Sequence, residues 1–151
     1  TIRWTPSDSL DCSDCMRPLA RPLNTTLYQI EITDENGCTA QDELLLTVDK
    51  ERRVYIPNAF TPNQDGSNDH FNLFSDPYSV RRITRLEVFD RWGGKVYQGD
   101  DLQPNDPSSG WDGSFRGEML NPGVFVYLAE VEFVDGFRKM YKGDVTLLST
   151  R

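Results

Sequence analysis

The chain has 151 residues and a formal net charge of −8 at pH 7, with 26% charged and 37% hydrophobic residues. This length is enough for one domain of usual size, or for one complete domain and part of another. Acidic residues outnumber basic ones both before and after Val54. The composition therefore excludes a basic surface for nucleic acid or anionic lipid.

The sequence carries no membrane or leader signal. No apolar run approaches the ~20 residues that a transmembrane helix needs, so we expect no direct membrane insertion. The first residues, TIRW, lack the charged and apolar regions of a signal peptide. We therefore expect a mature or truncated chain that is the C-terminal end of a longer exported protein.

Three cysteines predict a module boundary, because Cys12, Cys15 and Cys38 all precede residue 50. We expect a first, incomplete module, a linker and a second module, at residues 1–50, 51–53 and 54–151. Zinc needs four ligands and no histidine lies near these thiols, so structural disulfides of an exported protein are expected instead. Their pairing stays open, and the odd thiol is expected to have an upstream partner.

Alternating side chains predict strands in the first module. Residues 27–33 and 43–48 alternate apolar and polar positions, with Leu44 expected on a half-buried face. Asn36 and Gly37 lie between them, and Asn-Gly is favoured where both central residues of a two-residue turn have φ > 0. The pattern predicts a hairpin with a type I′ turn.

The second module shows the same periodicity. Residues 86–88 and 95–97 flank the glycine turn at 93–94, and residues 124–134 place every second apolar side chain toward a core. Asp135-Gly136 then predicts another type I′ turn into a last strand. We therefore expect an all-β protein of two consecutive small antiparallel Ig-like β-sandwich modules.

An unusual loop-forming segment opens the second module at residues 56–71, IPNAFTPNQDGSNDHF. Pro57 and Pro62 fix φ, Gly66 tolerates φ > 0, and the Asn and Asp side chains can bond to nearby backbone. We call residues 57–69 the elbow and expect it to be rigid.

The elbow and the motifs that follow it resemble the gliding-motility-associated C-terminal domain. This is the type B sorting domain of Bacteroidetes proteins exported by the type IX secretion system. The motifs that carry the resemblance are IPNAFTPN at 56–63, DG at 65–66, ND at 68–69, DRWG at 90–93, WDG at 111–113, PGVFVY at 122–127 and KGDVTLL at 142–148. Gln64 stands where the family usually has Gly, and Asp90 where Asn is usual. The first module resembles the end of the Ig-like or PKD-like repeats of large adhesins.

The resemblance implies a function without catalysis. The domain would direct export through the type IX translocon to the cell surface, where a PorP/SprF-like outer-membrane β-barrel would hold it. The parent protein would be a gliding or adhesion-type adhesin.

The residues expected to dock to a partner belong to the elbow, the DRWG motif and the last strand. They are Pro57, Asn58, Phe60, Thr61, Pro62, Arg91, Trp92, Val145, Leu147, Leu148 and Arg151. A turn surface or an added edge strand are both ways for a small sandwich to be recognised. For the elbow and the strand, we favour a structural role, the elbow as a fold-defining corner and the strand as core, over docking.

A calcium site is the candidate metal centre. Its ligands would be the oxygen-bearing side chains of the elbow, Asn63, Asp65, Asn68 and Asp69. They copy part of an EF-hand loop, although Asn72 stands where the bidentate acid is usual. We favour the other interpretation, in which these side chains bond to turn amides as Asx motifs.

Two further groups have both a functional and a structural interpretation. Glu130 and Glu132 lie about 6.6 Å apart along a strand, as paired glycosidase carboxylates do, but we expect ordinary outward charges on an edge or exposed strand and no enzyme. Trp92 and Trp111 adjoin turn glycines, and we expect packing rather than a sugar-stacking platform. The rival function is therefore a calcium-dependent glycan-binding adhesive module.

Overall fold

The computed structural model describes residues 1–149 and divides into two compact units, Thr1–Glu51 and Arg52–Arg151. Every regular element in the described residues is a β-strand, so the all-β prediction is confirmed. None of these residues forms a helix with the length and apolar character needed to cross a bilayer.

The first unit is a single antiparallel sheet of three strands, β1 (Ile2–Thr5), β2 (Thr26–Thr33) and β3 (Thr39–Leu46), in that order. The predicted hairpin is β2–β3. Tyr28 is buried, but Leu44 directly opposite it is 55% exposed, so the expected half-buried face of β3 is wrong. A lone sheet has no second layer to cover such a face.

The first unit contains one disulfide, between Cys12 and Cys15. Cys38 is a free, exposed thiol. This arrangement answers the pairing that the sequence left open. Asp11, Cys12 and Cys15 are close enough together to hold a metal ion. The two sulfur atoms are bonded to each other in the disulfide, however, and are therefore not free thiolate ligands.

Within residues 52–149, the second unit contains nine strands. They are β4 (Val54–Tyr55), β5 (Ala59–Phe60), β6 (Phe74–Ser75), β7 (Val80–Phe89), β8 (Lys95–Leu102), β9 (Ser114–Phe115), β10 (Glu118–Met119), β11 (Gly123–Phe133) and β12 (Arg138–Leu147). The main sheet has the order β5-β12-β11-β7-β8, and the pairs β4–β6 and β9–β10 form two small sheets. The pairing is antiparallel throughout except for β5, which lies parallel to β12.

The core of this unit lies against one face of the main sheet. The five alternate side chains predicted to face inward from β11 are all buried, which confirms the period-two pattern: Phe125, Tyr127, Ala129, Val131 and Phe133. Loop residues Phe71, Leu73 and Trp111 cover them from the other side. Each large apolar side chain that is fully buried contributes about 1.5–3 kcal/mol.

Trp111 is the centre of an aromatic cluster in this core. Its side chain is completely buried, with ring centroids 4.9 Å from Phe125 and 5.3 Å from Phe60. Its indole N–H donates to the Ser114 carbonyl at 2.9 Å. Its backbone N–H and C=O both pair with Phe71. Packing, rather than sugar stacking, is therefore the role of this tryptophan.

The hairpin turns differ from the predicted type I′ geometry. In the β2–β3 turn Gly37 has φ +84°, but Asn36 is not among the residues with positive φ. The loop has three residues rather than two, because the N–H of Asp34 bonds to the carbonyl of Cys38. The Asp34 carboxylate stabilises this loop by accepting the N–H groups of Asn36 and Cys38 at 2.8 Å. The turn through Gly136 likewise has only the glycine at positive φ.

The carboxylates of β11 face outward from the core as expected, but the strand that carries them is not the expected edge or exposed strand. β11 is a central strand, and Glu132 is only 6% exposed. Its oxygens lie 3.1–3.3 Å from nitrogens of Arg81, Arg82 and Arg138. The hydrogen bond from Arg82 is the main reason that the pKa of Glu132 is lowered.

We predict that Trp111→Ala destabilises the protein by about 3–5 kcal/mol, because it leaves a cavity between the core sheet and its covering loops. The matched control is Trp92→Ala at an exposed position, which is expected to change stability by less than about 1 kcal/mol. Urea unfolding followed by circular dichroism measures both. Equal losses in the two variants would contradict the assignment of Trp111 as the packing centre.

We predict that Glu132→Gln lowers the melting temperature at pH 7 and that this difference shrinks at acid pH. A lowered folded-state pKa contributes stability that is complete above the unfolded-state pKa of about 4.3 and is lost as the pH falls through the folded-state pKa. Thermal melts at neutral pH and below about pH 4 test this. Glu118→Gln, at an exposed position, is the control, and a pH-independent difference would contradict the ion-pair account.

Candidate docking site

Four of the predicted docking residues point into the core. Phe60, Pro62, Val145 and Leu147 are buried, so their side chains are not available to a partner. They are buried because β5 joins the main sheet beside the end of β12. Leu148 is partly exposed. The prediction for Arg151 lies outside the described residues.

The remaining part of the elbow forms its own hydrogen-bond network. The Asp69 carboxylate accepts the N–H groups of Gln64 at 2.6 Å and Gly66 at 2.8 Å. The Asp65 carboxylate accepts the N–H of Ser67 at 2.8 Å. Bonds from side-chain oxygens to nearby amides are Asx motifs, and they hold the loop without a ligand.

The side chain of Asn63 and the backbone of Asn68 are also engaged within the protein. The Asn63 side chain accepts the N–H of Asp65 and donates to its carboxylate. The backbone carbonyl of Asn68 accepts the N–H of Thr61 at 2.9 Å. Asn72, at the position of the EF-hand acid, is buried, and its amide donates to groups in the loop at residues 103–109. The elbow therefore has no bidentate acid after it to complete an EF-hand calcium site.

Backbone geometry explains why glycine is usual in the family at the position that Gln64 occupies here. Gln64 has φ +62°, a left-handed conformation in which glycine avoids the steric cost that other residues incur. The usual family glycine at this position therefore suits the elbow better than glutamine does. The Asp69 bond to the N–H of Gln64 helps to hold the strained residue in place.

Sequence reasoning missed two residues that support this region. Asn72 joins the end of the elbow segment to the 103–109 loop, whereas the sequence singled it out only by its position in an EF-hand loop. Gly110 has φ +101°, and a Cβ there would lie 2.2 Å from the Phe71 carbonyl oxygen. A residue with a side chain therefore does not fit at position 110. Glycine there lets the backbone of Trp111 lie beside Phe71.

The turn between β7 and β8 presents the most exposed aromatic side chain of the chain's described part. Trp92 is 85% exposed, so the expectation that it packs is wrong. Asp90 accepts the N–H groups of Trp92 at 2.9 Å and Gly94 at 2.8 Å through one carboxylate oxygen. An asparagine oxygen makes the same bonds, which explains how the family's Asn and this Asp are interchangeable.

An open groove of about 550 Å³ lies beside Trp92. We call it the DRWG groove. Its walls bring together the DRWG and PGVFVY motifs, which are far apart in the sequence. The lining residues are Asp90, Arg91, Trp92, Gly94, Lys95, Val96, Phe115, Leu120, Asn121, Pro122, Gly123, Val124 and Phe125.

Apolar surface continues from the DRWG groove along the outer face of the main sheet. Val124 and Val126 are 56% and 48% exposed, and Val126 pairs directly with Phe89 on β7. Exposed aromatic and aliphatic side chains that adjoin one another are typical of a protein interaction site. The groove is therefore the candidate docking site.

A model of the CHU_C Type IX secretion signal domain matches residues 54–147, and the chain belongs to this family. The match includes the elbow and the DRWG groove. It supports the predicted resemblance over most of the second module. The domain is thus a signal that engages the type IX secretion system and directs export to the cell surface.

Two other comparisons complete the findings. No curated protein matches the chain. Among solved structures, CopC from Methylosinus trichosporium OB3b is similar with a TM-score of 0.43 and 16% identity, over 66% of this chain and 92% of that chain.

We predict that Asp69→Ala destabilises the protein by about 1.5–3 kcal/mol, because two amides lose their bonds to a charged acceptor. Added calcium is expected to leave the melting temperature of the wild type unchanged, because the elbow carboxylates already accept amide bonds. Thermal melting with calcium and with a chelator measures this. A calcium-dependent rise that disappears in Asp65→Ala would instead establish the calcium site.

Proposed function

We propose that this protein carries a sorting and docking domain without catalytic activity, held at the cell surface by a PorP/SprF-like outer-membrane β-barrel. The family match over residues 54–147 is the observation that carries the proposal. The DRWG groove supplies the kind of surface that a partner needs, with Trp92 exposed beside apolar walls.

The proposed cargo is a gliding or adhesion-type adhesin of Bacteroidetes, attached at the outer membrane. The first unit supports this, since a small β-sheet with a disulfide suits a repeat in an exported protein. Its resemblance to an Ig-like or PKD-like repeat points to the same class of parent protein.

The carboxylates of β11 favour a non-catalytic role. A glycosidase pair needs one carboxylic acid with a raised pKa to protonate the leaving group. In contrast, the Arg82 hydrogen bond lowers the pKa of Glu132. Glu130 accepts a hydrogen bond from the Thr84 hydroxyl at 2.9 Å. These contacts account for both side chains as sheet-stabilising groups.

Glycan binding is the second candidate function, and the exposure of Trp92 is the observation that favours it. An exposed indole can stack on a sugar face. The structure gives less support to the other two parts of that hypothesis, sugar stacking by Trp111 and calcium binding by the elbow. Trp111 is buried in the core, and the carboxylates of the elbow accept backbone amides.

The test is to fuse residues 54–151 behind a signal peptide and a fluorescent reporter in a Bacteroidetes host. We expect surface display that depends on the type IX machinery, with an outer-membrane barrel that co-purifies. The matched control carries residues 1–50 in place of the sorting domain and is expected to stay in the periplasm. Periplasmic retention of both fusions would contradict the proposal and make glycan binding the leading function.

A further inference from the structure

Arginines in the second unit fall into two groups. Most lie within ion-pair distance of a carboxylate, namely Arg52, Arg81, Arg82, Arg85 and Arg138. Arg91 and Arg116 have no carboxylate within that distance among residues 1–149, and both are exposed. Each instead lies over an aromatic ring, with its guanidinium carbon 5.6 Å from the ring centre of Trp92 and 5.0 Å from that of Phe115.

Both rings line the DRWG groove, and so does Arg91, whereas Arg116 lies beside the groove over the ring of Phe115. The other charges nearby are already engaged. The Asp90 carboxylate accepts two backbone N–H groups, and the Lys95 amino group donates to Glu87 at 3.2 Å and Gln98 at 2.6 Å. Although the domain as a whole is acidic, two arginines without a carboxylate partner among residues 1–149 therefore lie at or beside one apolar groove.

The strand that forms one wall also offers backbone to a ligand. β11 begins at Gly123 and pairs with β12 from its first residue, but its pairing with β7 begins only at Val126. Within the described residues, the β7 side of Gly123–Phe125 therefore has no strand partner. An extended peptide can form main-chain hydrogen bonds with such a segment, whereas a glycan offers no matching series of amide groups.

We infer that the DRWG groove binds an extended, acidic peptide segment of the surface partner. An apolar side chain of the segment enters between Trp92 and Leu120, and flanking carboxylates pair with Arg91 and Arg116. The arginines select for charge, and the groove selects for an apolar anchor. This inference rests on the proposed function, because it names the chemistry of the partner that the sorting domain is proposed to dock to.

The first test uses a phage-displayed library of random heptapeptides, selected on the immobilised 151-residue chain. Enriched peptides are expected to combine Asp or Glu with aromatic or aliphatic residues. A synthetic peptide of the most enriched sequence is then titrated by fluorescence anisotropy. Arg91→Glu with Arg116→Glu is expected to weaken binding by about 100-fold, about tenfold for each charge pair lost.

The matched control is Lys142→Glu, which makes the same charge change at an exposed position outside the groove. Its affinity for the peptide is expected to stay within about twofold of wild type. Circular dichroism checks that all variants are folded. Enrichment of basic peptides, or equal binding by the wild type and the double variant, would overturn the inference.

The second test separates this inference from the proposed function. The double variant is introduced into the reporter fusion, and we expect export to continue while the reporter appears in the medium and the barrel no longer co-purifies. Failure of the wild-type fusion to be exported would contradict the proposed function itself. Normal attachment of the double variant would overturn only the inference. Binding of neutral oligosaccharides that needs Trp92 but neither arginine would also overturn it, in favour of a glycan.

Discussion

The packing of Trp111 between the main sheet and its covering loops is the constraint on which the sorting domain depends. The ring contacts Phe125 on β11 and Phe60 on β5, and its backbone pairs with Phe71 at the end of the elbow segment. Through these contacts one residue joins the elbow to the central strand, and it lies just after the 103–109 loop. The small sheets β4–β6 and β9–β10 are too short to form a second layer alone, so loop residues complete the core.

The outer side of the domain combines two kinds of surface. Toward the C-terminal end of β11, Glu132 and three arginines form an ionic cluster. Asp101 and Glu130 also pair with two of these arginines, so three carboxylates balance three guanidinium groups. Toward the N-terminal end of the same strand, Val124 and the DRWG groove are apolar, and the nearby arginines lie on aromatic rings. Within the described residues, charges are therefore paired at one end of this surface, while arginines at the other end lie on aromatic rings without a carboxylate partner, which is the end we propose for partner binding.

Sequence periodicity predicted the strands well because strand side chains alternate with a period of two, and β11 follows this pattern through five buried positions. It failed where contacts come from distant parts of the chain. Glu132 was expected to be exposed, since the sequence does not show that β7 and β12 flank β11 and supply arginines. Trp92 and Trp111 have similar neighbours in sequence, yet one is exposed and the other is buried.

By itself, the sequence determined the all-β class, the hairpins and the family of the second module, because these follow from local periodicity, turn residues and ordered motifs. Tertiary structure alone decided which docking candidates are accessible. Phe60, Val145 and Leu147 are buried because β5 pairs with the end of β12, more than 80 residues away along the chain. The DRWG groove likewise exists only because folding places the 90–93 turn beside the start of β11. Burial depends on such long-range pairing, which no local pattern of residues specifies.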